Sequence, residues 1–469
     1  MISTDNIIRK ISRNALLMTC FEMVVRYGIT IIVLPVALKK LENAELAYYL
    51  FISTLMALSF LADSGFSQTI VRCTAYFKAG AMEIPERVTE LSLAETQNMP
   101  NWQAIGRLIA TSNRIYIIIG LAATVLLSTF GVGAALNIVS QQKNQLYAWI
   151  TYSLLIILSF IILQVSRWSS ILQGLNEVAR AKRIELVVGV IKLSGTASAL
   201  LAGFGVLGVV SVMIAASVLN LILTRMAVRQ ISLENGVHKE YEIYDAEMLK
   251  RLWPATWRMG VICWGAYLIY YGSSLVISQI PDAKQIASYL LTFQVVTLLY
   301  RFSTSPSLVY QPQIAAAMSR GDLTVVNNLT LKIVRYSFAM YLIGGVLIYI
   351  FSADMLNLIK AKSQLLNGDI LLIMLVMYLL EMHHAIHAGI YMSSNHIPFM
   401  MPAIYSGVAI IVAGYFSVQY WGVYGAVLSQ LFVQAAFNNW YPIYLSLKIQ
   451  KLSFANYSKS IFLWSRDVR

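Results

Sequence analysis

The chain has 469 residues, of which 58% are hydrophobic and 12% charged, and its formal net charge is +13. A soluble domain is about half apolar and a quarter charged, so this balance excludes one and indicates an integral membrane protein. Loop cations that face anionic lipid head groups explain the positive charge, and no nucleic-acid partner is expected.

Apolar runs of about 20 residues, the length that crosses a bilayer as a helix, recur along the whole chain. We predict twelve of them: 14–38, 46–64, 113–136, 148–172, 186–202, 205–224, 257–279, 286–306, 335–358, 370–392, 401–418 and 423–445. Nothing is left over for a soluble domain. The first run is longer than the core of a signal peptide, so we expect it to be retained as a helix.

Lysine and arginine are unevenly distributed between the two predicted sides of the membrane. With the N-terminus inside, 25 of them fall in or beside cytoplasmic segments and six in outer segments. Cytoplasmic loops are normally enriched in these residues. We therefore expect both termini in the cytoplasm.

Two pairs of segments resemble each other across about half the chain. FGVLGVVSV (204–212) resembles WGVYGAVLS (421–429), and NAELAYYLF (43–51) resembles DAKQIASYLLT (282–292), at offsets of 217 and 240 residues. Two six-helix halves in the same orientation would be parallel repeats, which occur in transporters that bind cargo between their halves.

The predicted fold class is therefore an all-α polytopic membrane protein, with about twelve transmembrane helices in two six-helix repeats. The first lobe is predicted to span 1–229 and a cytoplasmic linker 230–256. The second lobe, with a cytoplasmic tail, is predicted to span 257–469.

Several charged residues lie inside the predicted spans, where a charge facing lipid near the bilayer centre costs about 3 kcal/mol. Glu22 and Arg26 are one turn apart on the first span, Lys192 is in the fifth and Arg301 in the eighth. Such residues usually face the bundle interior or a water-filled cleft. We predict these four residues as the cargo-binding set.

Lys192 and Arg301 each lie on a helix face of small or polar residues. The neighbours on these two faces are Glu185, Gly189, Thr196 and Ala199, and Gln294, Thr297 and Ser305. A cationic cleft suits an anionic cargo, because arginine's planar donors and lysine's point charge bind phosphate. Alternatively, the cations pair with nearby acids and only hold helices together. Arg167, near a helix end, could instead extend to the head groups.

The segment YLLEMHHAIHAGIY (378–391) places an acid and three histidines in the tenth span. His383 and His387 have the i, i+4 spacing of a metal pair, but zinc needs further ligands that the surroundings do not supply, so neither metal nor cofactor is predicted. The histidines are either packed against backbone or hydroxyl partners, or they form a face that contacts cargo or carries protons. On the second interpretation, the cleft-lining or ion-coupling residues are Glu381, His384, His387 and Asp63.

Two segments carry a resemblance to a known family. AYYLFISTLMALSFLADSGFSQTIVR (47–72) resembles the second helix of polysaccharide exporters of the multidrug/oligosaccharidyl-lipid/polysaccharide (MOP) superfamily, with Asp63 before the turn and Arg72 after it. RWSSILQGLNEVARAKRIEL (167–186) is similar to the exit of their fourth helix. The resemblance implies a Wzx-type lipid-linked oligosaccharide flippase with twelve helices in a V-shaped pair of lobes.

The expected function is transport, without an enzymatic reaction. The cargo implied is an undecaprenyl-pyrophosphate-linked oligosaccharide repeat unit, which crosses the bacterial inner membrane by alternating access for O-antigen or capsule assembly. Membrane lipids, a polymerase and a chain-length regulator of the same pathway are the expected partners. No Gly-rich phosphate loop is present, so ATP hydrolysis by this chain is not expected.

Two alternatives stay open. One is an ion-coupled multidrug antiporter of the same superfamily. The other is an O-antigen polymerase or ligase, which would need a sizeable outer loop with arginine or histidine, whereas the predicted outer segments are short and their cations are six lysines.

Overall fold

The computed structural model of the protein describes residues 18, 22, 25, 28–63, 65–82, 99–236, 244–319, 321–393 and 398–463. Every element within these ranges is helical. The all-α prediction is therefore confirmed.

Sixteen α-helices follow one another in the described ranges. They are α1 Leu34–Lys40, α2 Asn43–Phe60, α3 Phe66–Lys78, α4 Trp102–Leu126, α5 Val132–Ser140, α6 Gln145–Gly174, α7 Val178–Leu201, α8 Gly205–Glu234, α9 Ala246–Ile277, α10 Ala283–Ser303, α11 Ser305–Ser319, α12 Leu323–Leu358, α13 Gly368–Met392, α14 Met400–Val433, α15 Tyr441–Ile449 and α16 Phe454–Leu463. Three π-helical turns, Ile29–Val33, Leu127–Gly131 and Gln434–Asn438, and a 3-10 turn, Leu61–Asp63, flank or join them.

Local sequence explains where several of these helices begin. A short polar side chain accepts a hydrogen bond from a backbone N–H of the first turn in α4, α6, α10 and α12, and the capping residues are Asn101, Asn144, Asp282 and Asp322. Such caps satisfy one of the N–H groups that a helix start leaves unpaired. A single capping residue thus marks the start of each of these four helices.

Ten helical stretches in the described residues are long and apolar enough to cross a membrane. They include one stretch for each predicted span from the second to the tenth, so this is a multi-pass membrane protein. The last two predicted spans lie in one stretch, Met400–Ile449, and Gly422 interrupts it with non-helical backbone angles. The predicted first span, 14–38, falls partly outside the described residues, which include 18, 22, 25 and 28–38 of it.

The paired glycines of the two similar segments have matching local structure. Gly205 and Gly422 both adopt a positive φ, 56° and 55°, which favours glycine over residues with a Cβ. Gly208 and Gly425 both pack closely, since a Cβ would lie 2.5 Å from Phe204 Cβ in the first case and 2.4 Å from the Ser417 carbonyl oxygen in the second. This agreement supports the internal repeat, which stays a prediction.

The chain divides into two compact units, Met1–Trp264 and Gly265–Arg469. In the first unit, α3, α4 and α6 bury an apolar core that includes Ile70, Leu108 and Ile171, each 0% exposed. Parts of the predicted linker are helical, because α8 runs to Glu234 and α9 starts at Ala246.

Candidate functional site

A cavity of about 680 Å³ lies within the first unit. Its walls come from the first predicted span and from α3, α6, α7 and α8. Eleven of the 18 described residues that line it are polar or charged, and none is aromatic. They are Glu22, Val25, Ser67, Val71, Ile162, Val165, Ser166, Ser169, Ser170, Gln173, Lys182, Glu185, Val188, Gly189, Lys192, Ala216, Ser217 and Asn220.

Three of the residues that line this cavity form an ion-pair network. The Lys182 ammonium lies 2.7 Å from a Glu185 carboxylate oxygen and 3.6 Å from a Glu22 carboxylate oxygen. Ser169 Oγ on α6 donates to Glu185 Oε1 at 2.8 Å, and Gln173 Nε2 donates to Ser169 Oγ at 3.2 Å. One lysine therefore bridges two carboxylates that belong to different helices.

Helix α7 presents different faces to the cavity and away from it. Glu185, Gly189 and Lys192 line the cavity, as their shared face predicted. Val187 and Val190 on the other side are 50% and 48% exposed, as lipid-facing residues would be. The remaining members of the predicted face, Thr196 and Ala199, are buried.

The structure brings together two of the four residues predicted to bind cargo. Lys192 and Glu22 line the same cavity. Arg301 lies in the second unit, where it is exposed on α10 and interacts with the Tyr271 side chain. Arg26 lies outside the described residues.

The cavity also differs from the net cationic cleft that the sequence predicted. Its described charged residues are two carboxylates and two lysines, Glu22, Glu185, Lys182 and Lys192. Their formal charges cancel, so the described walls are polar and of mixed charge. The prediction counted Lys182 among the cytoplasmic cations and left it out of the cleft.

Glu381 lies in a second polar cluster, inside the second unit. The residue is 6% exposed, and its carboxylate accepts a hydrogen bond from Gln434 Nε2 at 2.8 Å. His384 Nδ1 lies 3.4 Å from Glu381 Oε2, a contact that does not meet hydrogen-bond geometry. The Tyr270 hydroxyl also interacts with this carboxylate and lies 3.0 Å from the Tyr300 hydroxyl.

A π-helical turn aims the Gln434 side chain at Glu381. The turn spans Gln434–Asn438, and Asn438 Nδ2 donates to Gln434 Oε1 at 2.6 Å, which orients the Gln434 amide. π-Helical turns inside α-helices are rare and occur frequently at functional sites. The buried carboxylate is thus held by groups from several helices of this unit.

His387 lies in the packed core of the second unit. It is 0% exposed, its Nε2 lies 2.6 Å from the Tyr457 hydroxyl, and its Nδ1 lies 3.0 Å from Ser446 Oγ. His383 Nε2 lies 2.7 Å from the same Tyr457 hydroxyl. Two histidines of α13 therefore hold α16 through one phenol. The structure matches the hydroxyl-packing interpretation for His387 and places it away from a water-facing surface.

Replacing Tyr457 by Phe is expected to destabilise the protein by about 1–3 kcal/mol, because both histidines would lose a buried hydrogen-bond partner. Burial raises the pKa of Tyr457, so its hydroxyl stays protonated and can donate to one ring while accepting from the other. The midpoint of thermal unfolding in detergent measures the effect. Tyr444→Phe is the matched control, since Tyr444 is 52% exposed. Equal unfolding midpoints for the two variants would contradict the anchoring role.

Asp63 joins two helices of the first unit. After the left-handed Gly65, which has a φ of 79°, Ser67 Oγ and Ser67 N donate to Asp63 Oδ2 at 2.7 and 3.3 Å. Tyr116 Oη on α4 donates to Asp63 Oδ1 at 2.5 Å. Both carboxylate oxygens are occupied, so the structure gives Asp63 an anchoring role instead of a cleft-lining one.

Arg167 is buried at 4% exposure and does not extend to the head groups. Its guanidinium donates to Asn113 Oδ1 and lies 4.4 Å from the centre of the Trp168 ring. The guanidinium is thus held by an amide and an aromatic face in the core of the first unit.

Comparison with solved structures identifies the fold. A multidrug resistance MATE family transporter of the MOP superfamily, in an inward-facing conformation, aligns with 94% of this chain and all of its own, with a TM-score of 0.70 and 13% identity. The chain has the MATE fold. The outward-facing conformation of such a transporter aligns with 94% of this chain and 97% of its own, with a TM-score of 0.58 and 14% identity.

A second MOP transporter shares the fold. It comes from Pyrococcus furiosus, is described as having a binding pocket of reversed polarity that suggests a different function, and aligns with 95% of this chain and 98% of its own, at a TM-score of 0.58 and 14% identity. No family model and no curated protein matches the sequence significantly. At 13–14% identity these solved structures show the fold of the chain and not its cargo.

Several residues of the cavity and of the Glu381 cluster were not predicted from the sequence. Lys182 precedes Glu185, Gly189 and Lys192 by three, seven and ten residues, a helix-face spacing that could have placed it in the cavity. Asn220 and Gln434 carry no such signal, because single polar residues in apolar helices are common. Only the MATE fold's packing brings them to the two clusters.

Proposed function

We propose that this chain is a flippase that moves polyprenyl-pyrophosphate-linked oligosaccharide repeat units from the inner to the outer leaflet of the bacterial cytoplasmic membrane. The observation that carries the proposal is the composition of the cavity in the first unit. Hydroxyl, amide and charged side chains belong to eleven of its 18 described lining residues, and aromatic side chains to none of them.

A sugar-bearing cargo fits this lining. Oligosaccharides present many hydroxyl groups, and a site that pairs hydroxyls with polar groups rejects compounds without them. Asn220 lines the cavity, and its buried Oδ1 has no hydrogen-bond partner among the described residues, so a turn of this amide toward the cavity would let it accept from a sugar hydroxyl. Small-molecule pockets, in contrast, are lined mainly by hydrophobic and aromatic side chains.

The charges of the cavity suit a head group that carries both phosphate and sugar. Lys182 and Lys192 supply donors for phosphate oxygens, and the carboxylates accept from sugar hydroxyls. The lipid tail of the cargo would stay in the membrane. We retain Arg301 and Arg26 as proposed cargo contacts, because phosphate binding suits arginine and Arg301 is exposed.

The Glu381 cluster is the proposed coupling site of the transporter. An ionisable residue buried inside a membrane helix is costly and therefore usually marks a functional site, and this one is surrounded by polar partners, including His384. A proton or another cation that binds there could link the cargo movement to an ion gradient. A polymerase and a chain-length regulator are proposed to take up the cargo on the outer side.

An ion-coupled multidrug transporter is the second candidate. Two of the solved structures with this fold belong to transporters described as multidrug resistance proteins. The second unit also buries an aromatic group around Tyr271, whose ring centre lies 5.2 Å from that of Tyr267 and 5.7 Å from that of Phe293. These rings would suit a lipophilic drug, whereas the lining of the cavity in the first unit favours the flippase.

Lys192→Ala is expected to reduce surface polysaccharide about 10- to 100-fold in the bacterium that carries this chain, because one charge-assisted contact to the cargo is lost. Polysaccharide extracted from the cell surface measures the effect, with protein abundance in the membrane measured alongside. Lys143→Ala is the matched control, since Lys143 is an exposed lysine paired with Glu42 at 2.9 Å. Unchanged polysaccharide together with lost drug resistance would favour the multidrug candidate instead.

A further inference from the structure

We propose that the diphosphate of the cargo lipid binds Lys182 and displaces Glu22 from it, which releases the first predicted span from α7. This inference rests on the proposed flippase function and names the residue that engages the cargo's head group. It also assigns a conformational consequence to the binding of that head group.

The two ion pairs of Lys182 are unequal. The contact with Glu185 is 2.7 Å and joins residues three apart on one helix, and Ser169 holds the same carboxylate from α6. The contact with Glu22 is 3.6 Å and reaches to a different helix. Lys182 is thus fixed on the Glu185 side, and its contact with Glu22 is the one that a stronger anion can replace.

A diphosphate is that stronger anion. It carries more negative charge than a carboxylate and offers more acceptor oxygens to the three N–H donors of an ammonium group. The side chains of Lys182 and Glu22 are 16% and 8% exposed, so their interaction is little screened by solvent. Both residues line the cavity, which gives the head group access to them.

The position of Lys182 along its helix fits a lipid head group. It is the fifth residue of α7, roughly 6 Å from the start of that helix. The preceding turn is predicted to be cytoplasmic, so the ammonium would lie near the level of the inner-leaflet phosphates. A cargo lipid could therefore reach Lys182 before its sugars enter the cavity.

A glycine of α7 makes one close contact with the first predicted span. A Cβ built on Gly189 would lie 2.9 Å from Val25 Cγ1 and 3.9 Å from Val25 Cβ. The two backbones are thus close three residues after Glu22 on the first predicted span and seven residues after Lys182 on α7. Loss of the ion pair between Glu22 and Lys182 would therefore weaken the attachment of the first predicted span to α7 near this apolar contact.

Cysteine cross-linking tests the release, because the Cβ separation of 3.9 Å falls within the disulfide range of about 3.5–4.5 Å. Val25→Cys and Gly189→Cys are introduced into the full chain after its own cysteines are replaced by serine. The protein is placed in nanodiscs that contain phosphatidylglycerol, and the rate of disulfide formation is measured. Undecaprenyl pyrophosphate should slow this rate about tenfold, the ratio that one lost charge-assisted contact gives.

Three ligand controls identify what is recognised. Neutral undecaprenol should leave the rate unchanged, and free pyrophosphate should slow it only at higher concentration, because it lacks the membrane anchor. Varying the phosphatidylglycerol content should have no effect. A rate that falls with phosphatidylglycerol alone would overturn the assignment to a diphosphate.

Three variants test whether the response to the lipid requires Lys182 and its ion pair with Glu22. Lys182→Gln should remove the response to undecaprenyl pyrophosphate, whereas Lys143→Gln should keep it. Glu22→Gln should slow cross-linking without any ligand. The proposal would be overturned if undecaprenyl pyrophosphate left the cross-linking rate unchanged in the protein that retains Lys182. It would also be overturned if the lipid slowed cross-linking equally in Lys182→Gln. If the cysteine-free protein still flips lipid-linked oligosaccharide in that case, the proposed function stands and only the release is wrong.

Discussion

Glu381→Gln is expected to reduce transport at least roughly tenfold while the protein accumulates normally in the membrane. The substituted amide has the same shape and can still accept from Gln434 Nε2, while the negative charge is lost and one acceptor oxygen becomes an NH2 donor. A charge that binds the coupling ion cannot be replaced by a neutral group of the same shape. Surface polysaccharide per unit of membrane protein measures the effect.

Asp369→Asn is the matched control for this prediction. Asp369 is an exposed acid in the first turn of the same helix, α13, so its loss tests for a general effect of removing an acid there. Normal transport by Glu381→Gln would remove the Glu381 cluster from the coupling mechanism. His384→Ala should weaken transport, because the His384 imidazole can carry a proton and lies 3.4 Å from that carboxylate.

Asp63→Ala is expected to destabilise the protein by about 2–4 kcal/mol. The variant removes the acceptor of the Ser67 N–H and hydroxyl at the start of α3 and leaves the buried Tyr116 hydroxyl without that acceptor. The midpoint of thermal unfolding in detergent should fall markedly, and membrane levels should fall with it. Asp354→Ala, which removes an exposed acid on α12, should leave both unchanged. A stable Asp63→Ala protein without transport would point to a role in the cleft instead.

The membrane-spanning helices could be predicted from the sequence because length and hydropathy determine them. Each predicted span from the second to the tenth corresponds to one helical stretch. The division of Met400–Ile449 was also predicted, between the apolar runs 401–418 and 423–445, and the structure places the non-helical Gly422 at that break. The helical structure within 230–256 was missed, since polar and charged helices lack the apolar signal of a span.

The candidate site could be predicted only in part. Lys192 and Glu185 followed from helix periodicity, but Lys182 was assigned to a cytoplasmic turn because charge near a helix end normally faces water. The histidines of α13 could not be separated into packed and functional residues, since that depends on Tyr457, which is 70 residues away from His387 in sequence. Contacts between distant segments decide these roles, and periodicity within one helix carries no information about them.

Flipping of a lipid-linked oligosaccharide by the purified protein tests the central claim most directly. The full chain is reconstituted into liposomes, and undecaprenyl pyrophosphate with a fluorescent oligosaccharide is added to the outer leaflet. A membrane-impermeant quencher then reports the fraction that has crossed. The protected fraction should grow with time, more slowly with Lys192→Ala and as in the unsubstituted protein with Lys143→Ala. No protection of this lipid, together with gradient-driven uptake of a lipophilic cation by the same liposomes, would contradict the flippase function.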